Sequence, residues 1–173
     1  MIYSNSPVDF TLIADDFLDS ITCDKIVSNY KSKNLIDWSN NPEGFFYCPF
    51  VDYDLINNFQ LLIEEYKTQY PSINLTSNYW NVGYFNFKWF KPGKGFTHWH
   101  CEHTKSDPLR ILCLQIYLSD HTCGTEFYDQ NYTVTSKKGR AVLFPTFWTH
   151  VHRGQICPEN KDRYLLSAYI EYV

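Results

Sequence analysis

From about Tyr79 to the end of the chain, short strand patterns alternate with turn signals, and this pattern restricts the possible folds more than any other feature. Aromatic and β-branched stretches are separated by turn-forming segments such as 91–95 and 136–139. The predicted strands are 84–90, 96–100, 110–118, 125–128, 132–135, 141–144, 149–152 and 163–172. About eight short strands at this spacing predict a mainly β protein built on a jelly-roll barrel or sandwich, the double-stranded β-helix.

The N-terminal part of the chain carries a different pattern, which predicts a helical support region over 1–75. Apolar residues recur at roughly helical spacing over 18–33 and again over 54–69, and Pro71 ends the second predicted helix. A short strand is predicted at 10–13, ahead of the first helix.

Length and charge set further limits. The 173 residues fit one domain, 1–173, whose jelly-roll core is expected over 79–173. The formal net charge of -4 argues against a surface that follows phosphate backbones, so nucleic-acid binding is not expected. No apolar run approaches the roughly 18 residues that span a bilayer, and the start of the chain lacks the features of a secretory signal.

The cysteines are scattered and form no C-x-x-C pair, which argues against zinc-ribbon and thioredoxin-like sites. They are Cys23, Cys48, Cys101, Cys113, Cys123 and Cys157. We therefore expect six reduced, mostly packed thiols in a soluble cytoplasmic protein.

All six histidines lie between residues 98 and 152, and five of them fall in two clusters at 96–103 and 145–154. Residues two apart on a strand share a face, so His100 and Glu102 are predicted to present an imidazole and a carboxylate to one point. A distant histidine would complete a set of two histidines and one carboxylate, which suits non-haem Fe(II).

Several motifs follow one another in order along the second half of the chain. They are FKPGKGF at 90–96, His100-Cys101-Glu102, QIYLS at 115–119, CGTEF at 123–127, GRAVLFP at 139–145, His152 and Arg163-Tyr164. In this order they resemble the motifs of the Fe(II)/2-oxoglutarate-dependent dioxygenases, in the prolyl 4-hydroxylase-like branch. Many small single-domain members of that branch are bacterial or phage-encoded.

The resemblance implies a hydroxylase that converts 2-oxoglutarate and O2 to succinate and CO2 while oxidising a small-molecule or peptidyl substrate. It implies that His100, Glu102 and His152 hold Fe(II) and that Arg163 anchors 2-oxoglutarate. An arginine offers an always charged fork to a carboxylate that is costly to bury unpaired. Alternation along the last strand places Ser167 on the face of Arg163, and Tyr117 is expected to reach the same carboxylate through its hydroxyl.

The sequence departs from the family pattern at two positions and leaves alternatives open. Glu102 stands where aspartate is usual, and Cys123 stands at the first glycine of a G-G turn. His98 forms an H-x-H pair with His100, which is the arrangement of a cupin metalloenzyme that does not use 2-oxoglutarate. A jelly-roll binding module without catalysis is a further alternative.

The distal ligand is predicted from chain spacing. Distance from the FP pair at 144–145 favours His150, whereas the interval of eleven residues before Arg163 favours His152. We assign His152 as the ligand and expect His150 on the same side of the same strand, either next to the ligands or facing substrate.

Overall fold

The computed structural model describes residues 1–4, 6–38, 40, 44–76 and 80–173, and the elements named below belong to these residues. The strands are β1 Ile2–Ser4, β2 Leu12–Asp15, β3 Ile36–Trp38, β4 Phe45–Phe50, β5 Trp80–Val82, β6 Phe85–Phe90, β7 Arg110–Tyr117, β8 Gly124–Phe127, β9 Tyr132–Thr135, β10 Ala141–Pro145, β11 His152–Gly154 and β12 Arg163–Tyr172. The helices are α1 Ser20–Lys31 and α2 Tyr53–Gln69, with 3-10 turns at Pro71–Leu75 and Trp148–His150.

The described strands form two antiparallel sheets. The large sheet has the order β1-β2-β10-β7-β12-β6-β4-β3, with β5 also paired to β12, and the small sheet has the order β11-β8-β9. Apolar side chains from both sheets meet in one buried cluster, to which the small sheet contributes Phe127 and Val134 and the large sheet Phe90, Tyr117 and Phe144. Two sheets packed face to face over a shared core confirm the predicted jelly-roll fold.

The helices cover the opposite face of the large sheet. Each begins at an aspartate whose carboxylate accepts a backbone N–H, Asp19 from Thr22 and Asp52 from Leu55. Buried side chains of α1 and α2 pack with the outward residues of β7 and β12 in a second apolar cluster. Alternate residues of β12 therefore face the two clusters, with Leu165 inside the jelly roll and Leu166 against the helices, as the alternation predicts.

The N-terminal part contributes more strand than its pattern predicts. In the large sheet, β3 and β4 extend the edge beyond β6, and β2 lies between β1 and β10. The short strand predicted at 10–13 is displaced to Leu12–Asp15, because Phe10 has a φ of 55° that an extended strand does not allow.

Two predicted strands near the histidine clusters are wrong. Residues 96–100 are irregular apart from an isolated antiparallel bridge between His100 and His152. Residues 148–150 form a 3-10 turn, so the strand of the second cluster begins only at His152. Aromatic and histidine-rich composition favours strands locally, but here long-range backbone pairing decides the conformation.

The prediction of six reduced thiols is wrong for two of them. Cys123 and Cys157 are joined by a disulfide, whereas Cys23, Cys48 and Cys113 are free and buried. The two bonded residues are 34 apart in sequence, and the fold brings their Cα atoms to 5.1 Å, within the usual range for a bridge. Neither described α-helix is long and apolar enough to cross a membrane.

Candidate metal centre and cofactor pocket

His100, Glu102 and His152 converge through backbone pairing between distant segments. The backbones of His100 and His152 exchange two hydrogen bonds of 3.0 and 2.9 Å, and the N–H of Glu102 donates to the carbonyl of Thr146 at 3.0 Å. The Oε1 atom of Glu102 then lies 3.4 Å from Nε2 of His100 and 3.9 Å from Nε2 of His152. One donor atom from each of the three residues lies within 4.8 Å of the others.

Both imidazoles are oriented by a backbone carbonyl two residues earlier. Nδ1 of His100 lies 2.8 Å from the carbonyl of His98, and Nδ1 of His152 lies 2.9 Å from that of His150. Because a carbonyl only accepts, these contacts place the ring proton on Nδ1 and leave the Nε2 lone pairs directed at Glu102. The Nε2 atom of His152 is buried and has no hydrogen-bond partner within the described part of the chain. Three acceptors that face one point, with no proton between them, fit a bound cation.

The electrostatics keep these groups in their metal-binding forms. Burial would raise the pKa of Glu102, but its neighbours His100, Lys88 and His152 lower it to about 2. Burial lowers the pKa of His152 to about 4, and the nearby His100 contributes to the shift. Glu102 is therefore a carboxylate and His152 a neutral imidazole at neutral pH.

The three donors open into a cavity between the sheets that also contains Arg163. Its walls comprise Lys88, Phe90, Phe96, His100, Glu102, Gln115, Tyr117, Thr125, His152, Gly154, Arg163, Leu165 and Tyr169. Arg163 begins β12 and is only 3% exposed. Its guanidinium stacks 4.6 Å from the centre of the Phe90 ring, and its Nε atom has no partner among the described residues.

Arg163 is a buried cation that no carboxylate of the described residues pairs with. Burial lowers its pKa to about 10, so it still carries its charge at neutral pH. Its Nη1 atom contacts only sulfur, at 3.5 Å from Cys123 and 3.7 Å from Cys157. A buried charge of this kind is costly unless an anion joins it, and the open side of the cavity is where an anion can enter.

Of the two other predicted cofactor residues, one lines the cavity. The Tyr117 hydroxyl lies 2.7 Å from Oγ1 of Thr125, which in turn donates to the side-chain oxygen of Gln115 at 2.6 Å. Ser167 lies on the inward face of β12 and is buried, with no hydrogen-bond partner for its hydroxyl among the described residues, yet it is not among the residues that line the cavity. The role predicted for Ser167 stays a prediction.

The structure separates the two candidate distal histidines. His150 lies in the 3-10 turn, and its Nε2 atom is 2.7 Å from the carbonyl of Asp9, so its ring lines another cavity next to Phe10. The expectation that His150 shares a side with His152 is wrong, because the intervening backbone is not extended. Only the His150 carbonyl serves the triad, by holding His152.

His98 does not take the place of a cupin ligand. Its side chain is exposed and lies outside the group formed by His100, Glu102 and His152. Its backbone carbonyl, not its ring, supports the centre by fixing His100.

One charged residue of the cavity wall, Lys88, is favoured by its sequence context as an exposed loop residue, and the structure corrects this interpretation. Lys88 lies on the inward face of β6, two residues before Phe90, and is paired across the sheet with Tyr47 and Leu165. Burial lowers its pKa, while the nearby Glu102 acts in the opposite direction. The alternation of β6 was the available signal, since any residue two positions from an inward aromatic shares its face.

No family model matches the sequence, and no curated protein matches it. Solved structures do match over nearly the whole chain. The viral collagen prolyl hydroxylase of Paramecium bursaria Chlorella virus-1, solved with 2-oxoglutarate, aligns at a TM-score of 0.76 with 18% identity, covering 95% of this chain and 97% of its own.

Two further hydroxylases align similarly. A prolyl 4-hydroxylase of Pseudomonas putida gives a TM-score of 0.70 with 13% identity over 94% of this chain and 92% of its own. A prolyl hydroxylase of Trichoplax adhaerens, in complex with a hypoxia-inducible-factor peptide, gives 0.70 with 15% identity over 95% and 84%. The chain has the prolyl hydroxylase fold. At these identities the likeness shows the fold alone, and the chemistry rests on the cavity.

Proposed function

We propose that the protein is an Fe(II)- and 2-oxoglutarate-dependent dioxygenase that acts as a hydroxylase. The observation that carries the proposal is the composition of one cavity wall. Two imidazole nitrogens and a carboxylate face one point, and a buried guanidinium in the same cavity has no carboxylate partner among the described residues. A divalent metal would bind the three converging donor atoms, and a dicarboxylate would pair with the guanidinium.

In this proposal His100, Glu102 and His152 hold the iron, and Arg163 binds the distal carboxylate of 2-oxoglutarate. Bound Fe(II), with 2-oxoglutarate and O2, supplies the oxidising equivalent for substrate hydroxylation and yields succinate and CO2. The residues of the chain orient these groups. Tyr117 and Thr125 present hydroxyls along the cavity wall, and the Phe90 ring keeps one side of Arg163 dry.

The prime substrate is proposed to enter from a groove beside the metal centre. The groove is lined by Trp38, Phe45, Tyr47, Asn86, Lys88, Arg110 and Tyr169, and it shares Lys88 and Tyr169 with the cavity. Its walls are largely aromatic, and this suits a ring or an apolar side chain presented by a peptide or by a small molecule. The peptide-bound relative from Trichoplax adhaerens supports a peptidyl substrate.

The alternatives explain less of the cavity. A cupin metalloenzyme without 2-oxoglutarate would use the metal ligands but leaves the buried Arg163 without a role. A non-catalytic binding module would leave the converging Nε2 atoms of His100 and His152 without a role. We further infer a cytoplasmic location, which the four free cysteines of the described residues support and in which thiol reductants would open the Cys123–Cys157 bridge.

The test is anaerobic titration of the purified protein with Fe(II) followed by 2-oxoglutarate. We expect a weak visible charge-transfer band that needs both additions, and succinate release once O2 is admitted. Arg163→Ala should retain the metal and lose the band at moderate 2-oxoglutarate concentration. Metal binding without any 2-oxoglutarate-dependent band or succinate would favour the cupin alternative, and absence of metal binding would favour a binding module.

A further inference from the structure

A second cluster of metal-ligating side chains lies outside the cavity, in the loops that follow β7 and precede β12. Nδ1 of His121, Sγ of Cys157 and a carboxylate oxygen of Glu159 lie within 4.8 Å of one another. The His121 side chain is fully buried, and Glu159 is about one quarter exposed. None of these residues lines the cavity of the proposed iron centre.

Two atoms of this cluster face each other without a proton to share. Nε2 of His121 lies 3.1 Å from the carbonyl of Asp162, so Nε2 carries the ring proton and Nδ1 has the lone pair. Nδ1 is 3.5 Å from Oε2 of Glu159, and both atoms are buried without a hydrogen-bond partner in the described part of the chain. The other oxygen of Glu159 accepts the N–H of Thr122 at 2.6 Å, which holds the carboxylate in place.

Nδ1 of His121 is thereby available to a cation. An imidazole that donates one ring N–H to a backbone carbonyl and keeps the other nitrogen free is the usual arrangement of a metal-bound histidine.

The sulfur donor depends on the redox state of the chain. Cys157 is disulfide-bonded to Cys123, and a disulfide sulfur is a poor ligand. A dithiol reductant delivers two electrons and two protons, which converts the bridge to two thiols while the reductant becomes its own disulfide. Binding of a divalent cation then releases each coordinating thiol proton to solvent.

We propose that His121, Cys157 and Glu159 form a second divalent-metal site that becomes available when the disulfide is reduced. Nitrogen, thiolate and carboxylate are donors that Zn²⁺ accepts. The bridge ties the loop before β12 to the start of β8, whereas the metal would tie that loop to His121 in the loop after β7. The sulfur atoms lie against Arg163, so the two states differ in the immediate surroundings of that side chain.

The experiment uses Co²⁺ as a spectroscopic probe on the full-length protein, reduced with a phosphine that is then removed under anaerobic conditions. We expect a thiolate-to-cobalt charge-transfer band that Zn²⁺ abolishes and that the oxidised protein lacks. The iron centre proposed above has no sulfur ligand, so His152→Ala should keep the band. This outcome separates the second site from the proposed function.

Variants locate the donors. Cys157→Ser should remove the band, and His121→Ala should weaken cobalt binding by more than the roughly 100-fold upper range for loss of an outer-sphere partner. Glu159→Gln keeps the acceptor for Thr122 and removes the charge, so it should weaken binding by at least about tenfold without unfolding the chain. Cys101→Ser is the matched control and should change nothing. Absence of the band in reduced wild-type protein, its survival in Cys157→Ser, or an unchanged cobalt affinity in Glu159→Gln would overturn the proposal.

Discussion

Two parts of the cavity wall need partners of opposite charge: the group of acceptor atoms needs a cation, and the buried arginine needs an anion. Around His100, Glu102 and His152, three acceptor atoms converge on one point, while Arg110 pairs with the other carboxylate oxygen of Glu102, Oε2, at 3.7 Å. Around Arg163, a buried cation stands with only sulfur and an aromatic ring beside it. Each part is costly alone, because buried polar groups are normally paired. The difference in sign indicates a cavity that is completed by two ligands of opposite charge.

Arg140, in contrast, has a guanidinium whose hydrogen-bond partners lie within the protein. Arg140 donates from Nη2 to Asp15 at 3.1 Å and from Nη1 to the carbonyl of Thr135 at 2.9 Å. Arg163 is more deeply buried than Arg140, yet it has no comparable partner in the described chain. Arg140 therefore serves the fold, whereas the position of Arg163 makes sense as a ligand-binding group.

The largest effect is expected from removing a metal ligand. Glu102→Ala or His152→Ala should abolish tight Fe(II) binding, since each variant deletes a donor and the former also deletes the charge that offsets the cation. Metal content and titration with Fe(II) measure the loss. Glu126→Ala is the matched control, because Glu126 pairs with Arg153 away from the donors. Normal iron affinity in Glu102→Ala would remove the carboxylate from the site.

Replacing Arg163 should affect the binding of 2-oxoglutarate and not that of the metal. Arg163→Ala is expected to weaken 2-oxoglutarate binding by about 2–5 kcal/mol, roughly 30- to 4000-fold, while metal affinity stays unchanged. Arg163→Lys should be intermediate, because a point charge replaces a two-pronged donor. Isothermal titration of the metal-loaded protein separates the two affinities, with Arg153→Ala as the control. An unchanged dissociation constant in Arg163→Ala would place the anchor elsewhere.

A smaller effect is expected at His150, which tests whether the ring or only its backbone supports the centre. His150→Ala should leave iron affinity within a few-fold, since the ring bonds the Asp9 carbonyl and the carbonyl of residue 150 survives the change. Stability should fall by about 1–3 kcal/mol, because a buried hydrogen bond and its packing are lost. Metal titration and urea unfolding measure the two quantities. A greater loss of iron affinity in His150→Ala than in His152→Ala would reverse the assignment of the ligand.

The family resemblance assigned Arg163 to the cavity, and strand periodicity then predicted which residues share its face. Along β12, alternation sets Arg163, Leu165 and Tyr169 on one face whatever the rest of the fold does. Tyr117 follows by the same rule from β7, where Cys113 and Tyr117 share the inward face. In a regular strand the sequence alone determines which residues share a face, so this grouping could be predicted without knowledge of tertiary contacts.

The metal side was predicted for a reason that the structure does not bear out. His100 and Glu102 were expected to converge as alternate residues of one strand, whereas the bridge to His152 and the hydrogen bond to Thr146 bring them together. The 3-10 turn that separates His150 from His152 and the strand β4 beside β6 depend equally on partners far along the chain. Local propensity does not contain such pairings.

The smallest predicted effect concerns the ion pair between Arg140 and Asp15. The hydrogen bond from Arg140, with the charge of Lys137, holds the pKa of Asp15 below its ordinary value of 3.8, although burial opposes the shift. A lowered folded-state pKa means that the unfolded chain binds protons more readily, so this stabilisation is present above about pH 4 and disappears as the pH falls through the folded-state pKa. Asp15→Asn should therefore cost about 1–2 kcal/mol at neutral pH. The difference from wild type should vanish in acid, and urea unfolding between pH 7 and 2.5 measures it. Affinity for 2-oxoglutarate should not change, because Asp15 and Arg140 do not line the cavity; a cost that persists at low pH would instead indicate a packing defect.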